Sequence, residues 1–165
     1  MRVYEWVFYF WYLQLPTLAI YCEVPKNYVF TINSSNSIEV VDSENNYIGQ
    51  AVVRTIGSLY TTELGNIEWI WSDYEKINAD TAYLRSEFYL NDIPSSAILQ
   101  VAANDIVNVY VNNKNTTCSG ANRYNVKTCD LVQDFILGKN KIIFEGKNNG
   151  GNAGIVFSLK IKKNL

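Results

Sequence analysis

The chain contains no histidine among its 165 residues. This absence excludes Ser-His-Asp and Cys-His nucleophilic systems and zinc sites with histidine ligands. Charged residues are only 18% of the composition, and 14 basic against 16 acidic side chains give a net charge of −2. Since no basic stripe exists beyond the short end 160–163, the composition argues against nucleic-acid binding. A carboxylate pair of the glycosidase kind stays open, but the acidic residues are scattered singly.

Cysteine is also scarce, with only Cys22, Cys118 and Cys129 present. The last two flank the turn-rich loop 119–128, and an oxidising compartment would join them. Closing so short a loop contributes about 3 kcal/mol in the chain-entropy model. Cys22 is then the odd cysteine, which leaves with an N-terminal leader, stays free or pairs between molecules.

The N-terminal segment has the composition of a secretory signal peptide. A basic start, Met1-Arg2, precedes a long apolar and aromatic run, and Thr17-Leu18-Ala19 offers small residues for cleavage. We therefore expect residues 1–22 to be a signal peptide, residues 23–165 to form a single domain, and the protein to be secreted without a membrane span in its mature form. An uncleaved anchor is the alternative, although the run is marginal for a bilayer span and contains Pro16.

Two N-glycosylation sequons begin at Asn33 and Asn115. Both lie among turn-forming residues, where a surface acceptor is expected. With a secretory leader in front of them, we predict that at least one carries a glycan.

The rest of the chain predicts an all-β fold. Short apolar segments alternate with Asn, Asp and Gly turns, which is typical of a β-sandwich. The predicted strands are 28–32, 37–41, 48–55, 67–71, 82–90, 97–102, 106–111, 141–145 and 154–162, with at most one short helical turn within 131–136. The intervening 57–66 and 148–152 are predicted loops.

Alternation in the last strand predicts which side chains enter the core. We expect one face, made of Ile155, Phe157, Leu159 and Ile161, to point inward and the other, made of Ser158, Lys160 and Lys162, to meet solvent. Between two earlier strands, Asn104-Asp105 is predicted to form a two-residue hairpin turn. Paired asparagines such as Asn112-Asn113 suit tight turns because asparagine tolerates left-handed backbone conformations.

Four pieces of the C-terminal half occur in a recognisable order. They are Trp69-Ile70-Trp71 followed by Leu84-Arg85-Ser86-Glu87-Phe88, the block from Ser96 through Asn104-Asp105 to Asn112, then Gly138-Lys139-Asn140, and finally Ala153-Gly154-Ile155. In this order they resemble the galactose-binding-like jelly-roll domains, of the carbohydrate-binding-module or lectin type, found on secreted glycoside hydrolases. The family usually has Gly where Asn113 stands, and often Asp where Asn104 stands. The resemblance implies a single jelly-roll β-sandwich and sugar binding, although many such domains have lost any sugar site.

Sugar recognition needs flat apolar faces for the ring and planar polar groups for its hydroxyls. The candidate ligand-binding residues in the predicted loops are Tyr74, Asn104, Asp105, Arg123 and Asn149. Asn104 and Asp105 also offer oxygen ligands for a structural Ca²⁺, although no specific motif supports one and turn chemistry is the simpler explanation. Trp69 and Trp71 lie on alternate positions of one strand, so we expect both to pack in the core.

We expect a secreted, non-catalytic, lectin-like module that needs no cofactor and whose partners are glycans or glycoproteins. The alternative is an extracellular structural subunit of a coat, matrix or filament that self-associates through the same sandwich. A small glycoside-active enzyme is the weakest hypothesis, because no carboxylate pair is evident and the sandwich takes up the whole chain.

Overall fold

The computed structural model describes residues 27–55, 64–72 and 80–164. The predicted signal peptide with Cys22, the candidate residue Tyr74 and most of the predicted loop 57–66 lie outside these ranges. Within them, no helix is long and apolar enough to cross a bilayer.

The described residues form strands and a single turn of 3-10 helix at Val132–Asp134, inside the segment where a helical turn was predicted. The strands are β1 (Asn27–Asn33), β2 (Glu39–Val41), β3 (Tyr47–Gln50), β4 (Val52–Arg54), β5 (Trp69–Trp71), β6 (Thr81–Leu90), β7 (Ser96–Asn104), β8 (Ile106–Val111), β9 (Lys114–Asn115), β10 (Ala121–Asn122), β11 (Lys127–Asp130), β12 (Gly138–Lys147) and β13 (Gly154–Asn164). The short strands β9, β10 and β11 were not predicted.

Two antiparallel sheets pack face to face. Sheet A has the order β11-β7-β13-β5-β4, and β1 pairs with β13 beside β5. Sheet B has the order β10-β8-β12-β6-β2-β3, and β9 pairs with β8. The protein is therefore all-β, a sandwich of the jelly-roll type, as the sequence predicts.

The core lies between the two sheets and is rich in branched and aromatic side chains. Phe144 of β12 stacks on Phe157 of β13, with ring centroids 4.0 Å apart and planes inclined by 18°. This contact joins sheet B to sheet A directly. Fully burying one such side chain stabilises the fold by about 1.5–3 kcal/mol. All four predicted inward residues of β13 are fully buried around this pair.

The outward face of β13 is exposed in the second half of the strand, as predicted, but buried in the first half. Lys160 and Lys162 are exposed as expected, but Ser158 is only 3% exposed and Val156 only 1%. A second apolar cluster covers this part of the sheet: it consists of Leu64, Trp69, Ala102 and Val156, with Ile67 and Val126 packed against it. The prediction that Ser158 faces open solvent is therefore wrong, because the segment before β5 folds over it.

Both tryptophans of β5 are buried, as predicted, but they do not share one environment. Trp69 belongs to the outer cluster on sheet A, whereas Trp71 belongs to the main core. The short strand β5 thus contributes apolar side chains to both faces of its sheet, because each face is covered there.

The predicted hairpin at Asn104-Asp105 is wrong. β7 pairs with β11 and β13 in sheet A, whereas β8 pairs with β12, β10 and β9 in sheet B. The chain crosses from one sheet to the other at this point, through a cis peptide bond between the two residues. The Asp105 amide donates to the Lys147 carbonyl at 3.1 Å, which fixes the crossing against the end of β12. The prediction failed because two consecutive apolar strands can either pair side by side in one sheet or face each other across the core, and their sequence pattern is the same in both cases.

The predicted strand 48–55 is also divided between the sheets. β3 pairs with β2 in sheet B, and β4 pairs with β5 in sheet A. The break is at Ala51, which is buried and whose amide donates to the Ile38 carbonyl at 2.8 Å.

Asparagine occupies left-handed backbone positions in two turns. Asn112 and Asn113 have φ of 49° and 68° and close the hairpin between β8 and β9, while Asn45 has φ of 71°. Asparagine tolerates this region, so these two turns form without glycine. In the loop after β12 the positive φ values belong instead to Gly150 and Gly151.

Candidate functional site

A disulfide holds the loop that carries two of the candidate side chains. Cys118 and Cys129 are bonded, as predicted, with their Cα atoms 5.7 Å apart. Cys129 lies in β11 at the edge of sheet A, and Cys118 precedes β10 of sheet B. The bond therefore ties the two sheets at one edge and constrains the intervening loop with Arg123 and Tyr124.

Four of the five predicted ligand-binding residues meet at one end of the sandwich. Asn104 and Asp105 lie at the crossing between the sheets, Arg123 in the disulfide loop, and Asn149 between β12 and β13. An Arg123 guanidinium nitrogen donates to Asn104 Oδ1 at 3.4 Å, and the Asn149 amide donates to Asp105 Oδ2 at 2.8 Å. The fifth, Tyr74, lies outside the described residues. We call this region, with Tyr124 and residues 148–152, the loop end.

Two of these residues hold the loop end together from beneath. Asn104 is only 4% exposed, and its Nδ2 donates to the Asn152 carbonyl while its Oδ1 accepts from Arg123. The Asp105 carboxylate likewise accepts a hydrogen bond from the backbone amide of Asn149, in the loop between β12 and β13. These contacts lie within the protein, so Asn104 and Asp105 act as positioning residues for the surface above them.

Tyr124, next to Arg123 in the disulfide loop, is not among the five predicted ligand-binding residues. The residue is 81% exposed, and the Arg123 guanidinium carbon lies 4.7 Å from the ring centroid. An exposed cation–π contact of this kind contributes about 0.5–1 kcal/mol. The Tyr124 amide also donates to Asn122 Oδ1 at 3.0 Å, which fixes the backbone. The available signal was an aromatic residue beside an arginine in a disulfide-closed loop.

Asn148, in the predicted loop 148–152, is also not among the five predicted ligand-binding residues, and it carries an unsatisfied acceptor. The residue is 7% exposed; its amide donates to the Asp80 carbonyl at 2.7 Å and its Nδ2 to the Gly151 carbonyl at 3.4 Å. Among the side chains that the structure describes, Asn148 Oδ1 is a buried polar atom without a hydrogen-bond donor. Leaving such an acceptor unpaired costs about 1–3 kcal/mol. The described part of the loop end therefore contains a buried acceptor that no hydrogen bond stabilises.

A different polar network lies on the outer face of sheet B. Glu145 Oε2 accepts from the Tyr110 hydroxyl at 2.9 Å and from Asn108 Nδ2 at 3.2 Å, and Lys147 Nζ lies 3.7 Å from Oε1. The hydrogen bond to Glu145 raises the pKa of Tyr110 above its ordinary value of 10.0. In the described ranges no three or more Asp, Glu, Cys or His side chains form a group that could hold a metal ion.

Both sequon asparagines, Asn33 and Asn115, are exposed. Asn33 ends β1, and Asn115 ends β9, where its Oδ1 accepts from the Ser119 hydroxyl. Their glycosylation stays a prediction.

Comparison with known proteins yields likeness of fold. No protein-family model and no curated protein matches the chain. Among solved structures, an α-L-rhamnosidase from Streptomyces avermitilis complexed with L-rhamnose matches 82% of this chain with a TM-score of 0.51 and 16% identity. A glycosyl hydrolase family 2 member from Bacteroides cellulosilyticus (84% of this chain, TM-score 0.48, 14% identity) and a β-glycosidase from Bacteroides vulgatus (79%, 0.43, 13%) also match.

This chain spans only a small part of each of those proteins: 15% of the rhamnosidase, 21% of the family 2 member and 20% of the β-glycosidase. The likeness to the rhamnosidase shows that the β-sandwich of this protein recurs within a much larger glycoside hydrolase chain.

Proposed function

We propose that this protein is a secreted, non-catalytic carbohydrate-binding module that binds glycans or glycoproteins through its loop end. The observation that carries the proposal is the exposed ring of Tyr124, held by Arg123 in a loop that a disulfide ties to both sheets. A flat aromatic surface of this kind is suited to the CH face of a sugar ring.

Polar groups elsewhere in the loop end supply the rest of the chemistry. The exposed Asn149 side chain offers an amide donor and acceptor. One aromatic contact and a few hydrogen bonds that compete with water, each worth about 1 kcal/mol net, give weak binding. We expect a Kd on the order of 0.1–1 mM, equivalent to about −4 to −5.5 kcal/mol. Useful avidity then comes from several modules acting together.

Self-association is the second candidate function, and the opposite end of the sandwich favours it. Five large apolar residues are exposed there: Val29 (59%), Phe30 (39%), Ile93 (54%), Ile136 (53%) and Leu137 (58%). Phe30 lies near Phe88, which in turn contacts Phe135, so the strand β1 and the segment before β12 are joined there. Clustered apolar side chains on a surface are typical of protein–protein contacts. A coat, matrix or filament subunit would use this end.

A glycan array combined with light scattering separates the two candidates. The array includes rhamnose-containing glycans, because the rhamnosidase with the same fold was crystallised with L-rhamnose. Selective retention of a defined set of glycans by a monomeric protein supports the carbohydrate-binding module. Absence of any glycan signal, together with concentration-dependent growth in particle size, overturns it in favour of the structural subunit.

A further inference from the structure

A groove of about 240 Å³ lies on the outer face of sheet A, away from the loop end. It runs over β1, β7 and β13 beside the segment that precedes β5. The lining consists of five polar and two apolar side chains: Thr31, Asn33, Gln100, Ser158 and Lys160, with Leu64 and Ile67. We call it the sheet A groove.

The strand register fixes the polar side chains relative to one another. Ser158 of β13 pairs with Gln100 of β7 on one side and with Asn33 of β1 on the other. Two residues along β13, Lys160 pairs with Thr31. The polar groups therefore occupy neighbouring positions on a hydrogen-bonded sheet, and the groove is formed before any ligand arrives.

These polar groups have unused hydrogen-bonding capacity. In the part of the chain that the structure describes, the side chains of Gln100, Ser158 and Lys160 have no hydrogen bond or ion pair. Ser158 is only 3% exposed, because the apolar cluster around Leu64 covers one side of it. A sheltered hydroxyl, an amide and an ammonium thus face a small space with an apolar wall.

We propose that the sheet A groove binds a single carboxylate-bearing sugar unit, such as a uronic acid residue of an acidic polysaccharide. The Lys160 ammonium would hold the carboxylate, and charge-assisted hydrogen bonds of this kind are about twice as strong as neutral ones. Ser158 and Gln100 bind ring hydroxyls, and Leu64 and Ile67 contact the apolar edge of the ring.

The size of the groove agrees with one sugar unit. Its 240 Å³ lies below the roughly 300–1,000 Å³ of pockets for drug-sized ligands. A longer chain would continue into solvent along the sheet surface. This site is independent of the loop end, so it does not rest on the function proposed above.

The test is an NMR titration of the backbone amides with galacturonate and, separately, with galactose. For this experiment the protein is produced recombinantly in a bacterial periplasm. That compartment forms disulfides and leaves Asn33 without an N-linked glycan. We expect galacturonate to shift the amides of Thr31, Gln100 and Ser158 saturably, with a Kd at least ~5-fold lower than that of galactose.

Two matched lysine variants identify the carboxylate contact. Lys160→Gln should raise the Kd for galacturonate ~10-fold, whereas Lys162→Gln, the next outward lysine of the same strand, should change it less than ~2-fold. Unchanged circular dichroism and melting temperature verify the fold of each variant.

Three results would overturn the inference. In the first, the backbone amide resonances of the groove do not shift up to about 50 mM galacturonate. In the second, Lys160→Gln and Lys162→Gln weaken binding equally, and this equality indicates general charge attraction. In the third, the shifts appear only at the loop end; the carbohydrate-binding function then stands and the groove has no part in it.

Discussion

Gly146 of β12 lies directly against the indole ring of Trp71 in β5. A Cβ atom placed on Gly146 would come within 2.5 Å of Cζ3 of Trp71 and 2.7 Å of Cδ1 of Ile155. The two residues belong to opposite sheets, so this contact sets the separation of the sheets at this point of the core. Glycine is required here by space, not by backbone conformation.

Gly146→Ala should therefore lower the free energy of unfolding by about 1–3 kcal/mol, the usual cost of overpacking a core. Urea denaturation measures this loss. The double variant Gly146→Ala with Trp71→Leu, which shortens the facing side chain, should lose less free energy of unfolding than the sum of the two single variants. Strict additivity of the two would mean that the close approach has no energetic consequence.

Phe157→Ala should cost about 3–5 kcal/mol, because it deletes a fully buried ring stacked on Phe144. Lys160→Ala, three residues further along β13 on its exposed face, should change stability by no more than about 0.5 kcal/mol. Equal, small losses in chemical denaturation would show that the assignment of inward and outward faces in β13 is wrong.

Removing the disulfide tests how the loop end is held. Cys118→Ser combined with Cys129→Ser should lower stability by about 2–4 kcal/mol, because the unfolded chain regains the entropy of the open loop. We also expect weaker glycan binding, since Arg123 and Tyr124 lie between the two cysteines. Thermal unfolding with and without reductant checks the first effect, and a variant that binds glycans as well as the wild type would contradict the second.

Tyr110 should make stability depend on pH in the alkaline range. Its pKa is raised by its hydrogen bond to Glu145, so its stabilising contribution is complete below the ordinary value of 10.0 and is lost as the pH rises through the folded-state pKa. Tyr110→Phe should be less stable than the wild type by about 1 kcal/mol at neutral pH. The difference should shrink above pH 10.0; a constant difference across the titration would argue against the Glu145 contact.

The sequence predicts this sandwich well where side chains alternate strictly. In β13 the period of two identifies Phe157 and its inward neighbours, because one face of that strand is always buried against the other sheet. The disulfide can also be predicted from the sequence, since Cys118 and Cys129 are close in the chain and flank turn-forming residues.

Pairing partners are harder to predict, because alternation does not tell in which sheet a strand lies. Asn104-Asp105 resembles a hairpin turn yet joins strands of opposite sheets, and residues 48–55 resemble one strand yet divide at Ala51. The alternation in one strand also does not show whether a distant segment will cover its outer face, as the segment before β5 does at Ser158. The loop end was found in part, since polar loop residues can be recognised, whereas the exposure of Tyr124 and the burial of Asn148 depend on the folded loops.

The central claim is that the loop end binds carbohydrate through Tyr124, and a matched pair of tyrosine variants tests it most directly. Tyr124 and Tyr89 are 81% and 71% exposed, but Tyr89 lies near the far end of β6, beside Gly138. Calorimetric titration is done with the best glycan from the array. We expect Tyr124→Ala to weaken binding ~10-fold or more, about 1.4 kcal/mol, and Tyr89→Ala to leave the Kd unchanged. Equal affinities of both variants and the wild type would contradict the account.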